Sequence, residues 1–250
     1  MTTNISSSSS GKVLAAILAA ILSVASANAA FLVVNLPGTT AQDNWTDLTA
    51  TNYPGFPVYA TSGNAWPSPI AATSGNGGGS LNKVSGLGFP SNGGGVYVGG
   101  MVSGTGTFAV TDSTAITGLE TVVFQLEVEG VGANWNSVLS GLSLNYNGGS
   151  QALPFDFSLV VSAIPNGSLY GQPKTIFTLA YQWDLTSLGA TSFNIAWTAA
   201  EHSVTSNLQM NQGDTMLQVV PEPATGMLLG LGVVALSLCW VGRSRREGME

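Results

Sequence analysis

Apolar and polar residues alternate along several stretches in the middle of this chain. In the clearest stretch, residues 121–129, the apolar positions that share one side are Val122, Phe124, Leu126 and Val128. The polar positions on the other side are Thr121, Gln125, Glu127 and Glu129, and Val123 breaks the pattern. Such alternation is typical of a half-buried antiparallel strand, because successive side chains of a strand point to opposite faces. No long stretch has the 3.6-residue period of an amphipathic helix, so the sequence predicts an all-β domain.

Residues that favour turns divide the second half of the chain into short strands. We predict a hairpin between residues 138–146 and 152–161, because Asn-Gly-Gly at 147–149 tolerates the positive φ angles that hairpin turns require. Pro-Asn-Gly at 165–167 predicts the next turn, before a strand at 175–183. One face of that strand contains the apolar residues Phe177, Leu179, Tyr181 and Trp183. The alternation predicts later strands at 193–197, where Phe193, Ile195 and Trp197 share a face, and at 208–219.

The first half of the chain has a weaker strand pattern and more loop residues. Residues 31–36 predict a first strand, and residues 96–102 and 105–111 predict a hairpin that turns at Ser103-Gly104. Prolines and two glycine tracts dominate residues 39–95, which favours ordered loops or short strands over a second core.

Many short strands with evenly spaced turns predict a single domain over residues 30–219. The predicted architecture is a jelly-roll-like antiparallel β-sandwich of about eight to ten strands, since all-β domains of this length are common. A β-solenoid is the alternative, although the sequence contains no repeat of fixed period.

Charge narrows the range of partners for this domain. Residues 30–219 contain two basic residues, Lys83 and Lys174, against ten acidic ones. Negative charge repels nucleic acid and anionic lipid headgroups, so neither is an expected partner. Cys239 is the single cysteine of the chain and lies outside residues 30–219, so the domain contains no disulfide.

Three features follow one another near the C-terminus. Residues 220–223 have the sequence Val220, Pro221, Glu222 and Pro223. Residues 224–241 are 18 consecutive uncharged residues, which as a helix would measure about 27 Å and could span a bilayer. A basic cluster at residues 243–246 then contains Arg243, Arg245 and Arg246, which favours a cytoplasmic side for that end. We therefore predict a transmembrane helix whose preceding domain lies outside the cytoplasm.

The order of these three features resembles the PEP-CTERM sorting signal of exported bacterial proteins, over residues 219–246. Residues 181–219 are also similar to a segment that precedes the motif in other proteins of this kind. The resemblance implies that an exosortase cuts near residues 220–223 and transfers the protein to the cell surface or extracellular matrix, commonly beside exopolysaccharide. The alternative is a protein that stays in the membrane through its C-terminal helix.

The N-terminal residues have the pattern of a secretory signal peptide. A Ser-rich leader and Lys12 precede an apolar stretch of 12 residues at 13–24, which is too short to span a bilayer comfortably. Small residues follow, and Ala27 and Ala29 fit a signal-peptidase site that cuts after Ala29. We therefore expect a signal peptide, helical in its apolar part, at residues 1–29 and a mature chain that begins at Ala30, with an uncleaved N-terminal anchor as the alternative.

Residues that could carry out catalysis are scarce. His202 is the single histidine, and we interpret it as a structural or surface residue, because a nucleophilic triad needs a base beside a nucleophile. Glu127 and Glu129 share a face of one strand, as a carboxylate pair for acid/base catalysis or Ca²⁺ binding would require, but we interpret them as part of a solvated outer face. The sequence has no Cys and His cluster with zinc spacing and no phosphate-binding loop. We therefore expect no enzymatic activity, no cofactor and no metal.

Aromatic residues are dense in one Pro- and Gly-rich loop region. Exposed rings there could stack on sugars, and the candidate glycan contacts are Trp45, Tyr53, Tyr59 and Trp66. The alternative is that these rings cover the open end of the sandwich. We therefore rank a structural or adhesive surface protein first, a carbohydrate-binding module second, and a glycoside hydrolase or polysaccharide lyase third.

Overall fold

The computed structural model describes residues 30–53, 69–100, 103–132 and 134–219. The predicted signal peptide with Ala27 and Ala29, residues 220–223, the helix at 224–241 and the basic cluster at 243–246 lie outside these residues. From Phe31 onward, the described residues belong to one compact unit. Within them, no helix has the length and apolar character needed to cross a membrane.

The described part of the chain forms antiparallel strands, confirming the predicted all-β class. In chain order the strands are β1 (Thr40–Trp45), β2 (Ile70–Ala71), β3 (Ser74–Gly75), β4 (Ser80–Gly86), β5 (Phe89–Pro90), β6 (Val96–Val98), β7 (Gly106–Asp112), β8 (Thr121–Val131), β9 (Leu139–Tyr146), β10 (Phe157–Leu169), β11 (Gln172–Asp184), β12 (Phe193–Ala199) and β13 (Ser203–Gly213).

The strands form two sheets. The larger sheet has eight strands. Six of them follow the order β10-β11-β8-β13-β1-β3, and the other two, β5 and β6, lie beside this path. The smaller sheet has five strands, with the order β2-β4-β7-β12-β9. One edge of β13 is shared by two strands, because its first residues pair with β6 and its last residues pair with β1, while β5 pairs with β6. Pairing of β1 with β13 joins distant parts of the chain, unlike a solenoid, in which each repeat contacts its neighbours. The finer jelly-roll topology stays a prediction.

The main core contains apolar side chains from both sheets. Phe177, Leu179, Tyr181 and Trp183 of β11 are buried as predicted, although the residues between them are buried as well. Phe193, Ile195 and Trp197 of β12 are also buried as predicted. The ring centroids of Phe124 and Trp197 are 5.5 Å apart, which joins β8 of the larger sheet to β12 of the smaller one. Burial of these large side chains is the main stabilising term of the domain.

A second apolar cluster explains why Val123 breaks the alternation of β8. Val123 and Ala180 are fully buried on the side of the larger sheet that was predicted to face solvent. The residues packed on them are Leu32, Val34, Phe157, Leu159, Val161 and Val219. The prediction that β8 is half-buried is therefore wrong, because Gln125 and Thr121 on the same side are also fully buried.

The predicted hairpin between residues 138–146 and 152–161 is also wrong. β9 pairs with β12, and after the turn at 147–149 the chain returns to β9 only through the isolated bridge between Leu144 and Leu153. The chain then enters the larger sheet as β10, which pairs with β11. Strand alternation indicates which residues are buried but not which strand is the partner, so a nearby turn suggested the wrong pairing.

The turn between β10 and β11 lies later than the sequence predicted. Residues 165–167 are part of β10, where a register irregularity accommodates Pro165 on an edge strand. The turn is formed by Tyr170 and Gly171, whose φ angles are +50° and +76°. Positive φ at both central residues is the geometry of a type I′ turn, which matches the twist of the two strands.

Two upstream predictions need correction as well. Residues 31–36 form no strand, although their side chains alternate between partly buried and exposed. β6 and β7 belong to different sheets, so residues 96–102 and 105–111 do not form a hairpin. Gly99 and Gly100 follow β6 with φ angles of +150° and +152°, which few residues other than glycine adopt, where the chain leaves the larger sheet.

Candidate functional site

The chain approaches residues 220–223 along the outer side of the larger sheet. Gln182 of β11 is fully buried there, and its side-chain amide holds the main chain of this approach. Its Nε2 donates to the carbonyl oxygen of Leu217 at 2.7 Å, and its Oε1 accepts from the N–H of Val219 at 3.0 Å. The carboxylate of Glu120 also accepts from the N–H of Met216 at 3.2 Å. The folded domain therefore fixes the chain up to the residue before Val220.

A second buried glutamine holds the start of the described chain on the same sheet. Oε1 of Gln125 accepts from the N–H of Leu32 at 2.7 Å, and its Nε2 donates to the carbonyl oxygen of Leu32 at 3.1 Å. Gln125 lies on β8 opposite Ala180 of β11, and Val123 lies opposite Gln182. Residues 31–36 therefore lie against a face of the sheet, which is why they alternate like a strand without pairing at a sheet edge.

Glu127 and Glu129 are half-buried and hydrogen-bonded to neighbouring strands. Glu127 accepts from the hydroxyl of Ser206, and from Nδ2 of Asn207 at 3.2 Å. Glu129 forms an ion pair with Lys174 and accepts from Nδ2 of Asn166 at 2.7 Å. These contacts join β8 to β13 on one side and to β10 and β11 on the other, so both carboxylates have structural partners.

His202 lies in a cluster of polar and aromatic side chains. The hydroxyl of Tyr97 is 2.8 Å from Nδ1 of His202, and Oε1 of Glu201 is 3.7 Å from Nε2. The exposed ring of Tyr170 stands edge-on to the imidazole, with centroids 5.5 Å apart. Burial, with smaller effects of Tyr170 and Glu201, raises the pKa of Tyr97 above its ordinary value, so its hydroxyl is harder to ionise than that of an exposed tyrosine.

Trp45 is fully buried, which contradicts its prediction as a glycan contact. Its Nε1 donates to the carbonyl oxygen of Ile70 at 3.0 Å, inside the main core. Tyr53 is half-buried and packs against the same core. Trp45 thus has no exposed ring face on which a sugar could stack, because β1 directs its side chain between the sheets. Tyr59 and Trp66 lie outside the described residues, so their glycan contact stays a prediction.

A buried carboxylate organises the first glycine tract. Asp43 is 1% exposed and accepts from the N–H groups of Gly77 at 2.9 Å and Gly79 at 2.8 Å. A Cβ atom at Gly77 would lie 2.4 Å from Oδ2 of Asp43, so only glycine fits there. The tract is therefore an ordered loop, as predicted, and Asp43 is one of its structural anchors.

Two grooves open on the described surface. One, with a volume of about 350 Å³, lies between residues 34–36, β1 and the end of β13. The other, of about 250 Å³, lies beside the ends of β7 and β12 and includes Asp112. The carboxylate of Asp112 is bonded to Gln212 Nε2 at 2.5 Å and to the Thr114 N–H at 2.8 Å. Across residues 30–53, 69–100, 103–132 and 134–219, no group of three His, Cys, Asp or Glu side chains could hold a metal.

Sequence reasoning missed the two glutamines that hold the chain on the larger sheet. Gln125 and Gln182 occur at positions that alternation assigns to solvent. The available signal was the presence of Val123 and Ala180 on the same side, because apolar side chains on an outer face indicate that another part of the chain packs over them.

Comparison with known proteins identifies the segment that follows residues 215–218. Residues 219–246 match the family model described as the PEP-CTERM protein-sorting motif. No curated protein and no solved structure matches the chain. The matched residues include the Pro-Glu-Pro sequence, the uncharged stretch and the arginines that suggested the resemblance. The chain therefore carries a PEP-CTERM protein-sorting motif, the motif of exported exosortase substrates, directly after its folded β-domain.

Proposed function

We propose that this protein has a structural or adhesive role at the cell surface or in the extracellular matrix, in an exopolysaccharide setting. The observation that carries the proposal is the sorting motif at residues 219–246, which starts where the described domain ends. In this proposal signal peptidase releases the chain after Ala29, and the helix at 224–241 anchors it in the membrane. An exosortase then cuts near residues 220–223 and transfers the domain outward.

The domain is proposed to be non-catalytic. In support, Glu127 and Glu129 have structural partners, and Asp43 is bonded to main-chain N–H groups. His202 faces a tyrosine hydroxyl with a raised pKa, which is a weak nucleophile near neutral pH. The carbohydrate-binding alternative loses Trp45 as a contact and now depends on Tyr59 and Trp66. A glycoside hydrolase or polysaccharide lyase ranks below both.

Intact-mass measurement of protein extracted from the host surface tests the sorting part of this proposal. We expect a species that begins at Ala30 and ends near residues 220–223. Replacement of Arg243, Arg245 and Arg246 by Glu should reduce this species strongly, because the basic residues orient the helix. The matched control replaces the same residues by Lys, which preserves the charge and should preserve sorting. A surface species that retains the arginines would contradict the proposal.

A further inference from the structure

We propose that Gln182 is a positioning residue for the sorting reaction. Its side-chain amide fixes the chain at Val219, the first residue of the sorting motif, and this attachment restricts access of the processing enzyme. The proposal rests on the proposed function, in which this motif is cut after export.

The side chain of Gln182 bonds the main chain of Leu217 and Val219 in the way that the backbone of a neighbouring strand would. An amide side chain offers one acceptor and two donors, and here it binds a carbonyl and an N–H that lie two residues apart. The same Nε2 also lies 3.0 Å from the hydroxyl oxygen of Thr121, which orients the amide within the sheet. Because Gln182 is fully buried, its amide has no competing water and holds the chain face-on to the sheet.

The held segment, residues 215–219, depends on these polar bonds more than on apolar burial. Val219 is half-buried in the second apolar cluster, but Leu217 is 45% exposed and Thr215 and Gln218 are exposed as well. The main-chain bonds to Glu120 and Gln182 therefore account for much of the order of this segment. Removal of the Gln182 amide should release the segment without removing a large side chain from the core.

Release of the segment changes the distance between the fold and the cut site. With Val219 held, Val220 begins one residue beyond the attachment point. Freeing residues 215–219 adds about 16 Å of extended chain, at about 3.3 Å per residue. A processing enzyme needs room on both sides of the peptide bond that it cuts, so the closed arrangement restricts access and the released one allows it.

The test compares the wild-type chain with Gln182→Met, which has a similar length but neither hydrogen bond. Hydrogen exchange of the full-length chain should show the amides of residues 215–219 exchanging at least about tenfold faster, as expected for local opening that is easier by about 1.4 kcal/mol. The matched control is Gln125→Met, on the same side of the same sheet. It should accelerate exchange near Leu32 and leave residues 215–219 unchanged.

The second measurement is the rate at which the chain is processed in its host. We expect Gln182→Met to be cut several-fold faster than the wild-type chain, and Gln125→Met to be cut at the wild-type rate. Unchanged exchange at residues 215–219 would overturn the assignment of Gln182. Faster exchange with unchanged or slower processing would overturn its effect on access.

Two outcomes separate this inference from the proposed function. If the wild-type chain is never cut, the proposed function fails, and the exchange experiment still tests the attachment. If Gln182→Met does not accumulate as folded protein, Val219→Pro provides the second variant, because it removes the N–H that donates to Oε1 of Gln182 and leaves the Gln182 side chain in the sheet. That variant should show the same faster exchange and faster processing, and wild-type values for both would overturn the inference.

Discussion

Replacement of Tyr181 by Phe should stabilise the protein. Tyr181 is 1% exposed, and its ring packs against Phe155 and Trp135 with centroid distances of 5.0 Å and 6.2 Å. Its hydroxyl has no hydrogen-bond partner within the described parts of the chain. An unpaired buried hydroxyl costs about 1–3 kcal/mol, and part of that cost is recovered when the oxygen is removed. We expect the free energy of unfolding to rise by about 1 kcal/mol and Tm by about 2–4 °C.

The same substitution should change the response to alkaline pH. Burial raises the pKa of Tyr181 above its ordinary value of 10.0. In the unfolded chain this tyrosine ionises near pH 10, whereas in the folded chain it resists ionisation. Ionisation of Tyr181 therefore leaves the free energy of unfolding unaffected below about pH 10. Above that pH the free energy of unfolding falls, because the unfolded chain loses the proton more easily than the folded one. Because phenylalanine does not ionise, the stability difference between Tyr181→Phe and wild type should widen above that pH.

Thermal unfolding of the purified chain, followed by circular dichroism from pH 7 to pH 11, measures both effects. Tyr97→Phe is the matched control at pH 7, because its hydroxyl is bonded to His202 at 2.8 Å. The control should lose about 0.5–1.5 kcal/mol, the usual net worth of a hydrogen bond. A Tyr181→Phe variant that melts below wild type, or that keeps the wild-type alkaline slope, would refute the reasoning.

Two further predictions concern side chains that the sequence analysis considered for glycan binding or catalysis. Trp45→Ala should lower the free energy of unfolding by about 3–5 kcal/mol in a denaturant titration, because it opens a cavity in the main core; a stable variant that only loses adhesion would contradict the buried assignment. We expect the purified wild-type protein to hydrolyse no polysaccharide, and His202→Ala to hydrolyse none either. Hydrolysis by the wild-type protein that the variant lacks would end the proposal of a non-catalytic domain.

Local pattern predicted the strands in which one face enters the main core. Phe177 and Trp183 of β11 were assigned to the buried face, and Phe193 and Trp197 of β12 were assigned in the same way. In β12 alternation and burial coincide, because side-chain direction follows directly from the strand period. In β11 the residues between these positions are buried too, since both faces of that strand are covered. The sorting motif could also be predicted, since it is defined by residue order and needs no tertiary structure.

Local pattern could not predict which strands pair with each other, or which residues pack on the outer face of the larger sheet. β9 pairs with β12, which begins at Phe193, and no local signal favours that pairing over the nearer β10. Residues 31–36 alternate like a strand, but the partner of their main chain is the side chain of Gln125. Trp45 occurs in a loop-rich region, and its burial depends on the contact of β1 with β13. Each of these outcomes is decided by residues that are distant in sequence.

The pairing of β1 with β13 sets the order of events during export. In the proposed export the chain crosses the membrane from its N-terminus and delivers β1 first. The edge of Thr40–Trp45 that pairs with β13 therefore stays unpaired until Ser203–Gly213 has followed, although β3 can pair with the other edge. Pairings between such distant segments form slowly, because the entropy of closing the loop is lost before the contacts are gained. The unpaired edges can meanwhile bind other chains, so the interval before β13 arrives is the period of greatest aggregation risk. The motif starts at residue 219, so in the proposed export route it leaves the cytoplasm almost at the time when the sheet is completed.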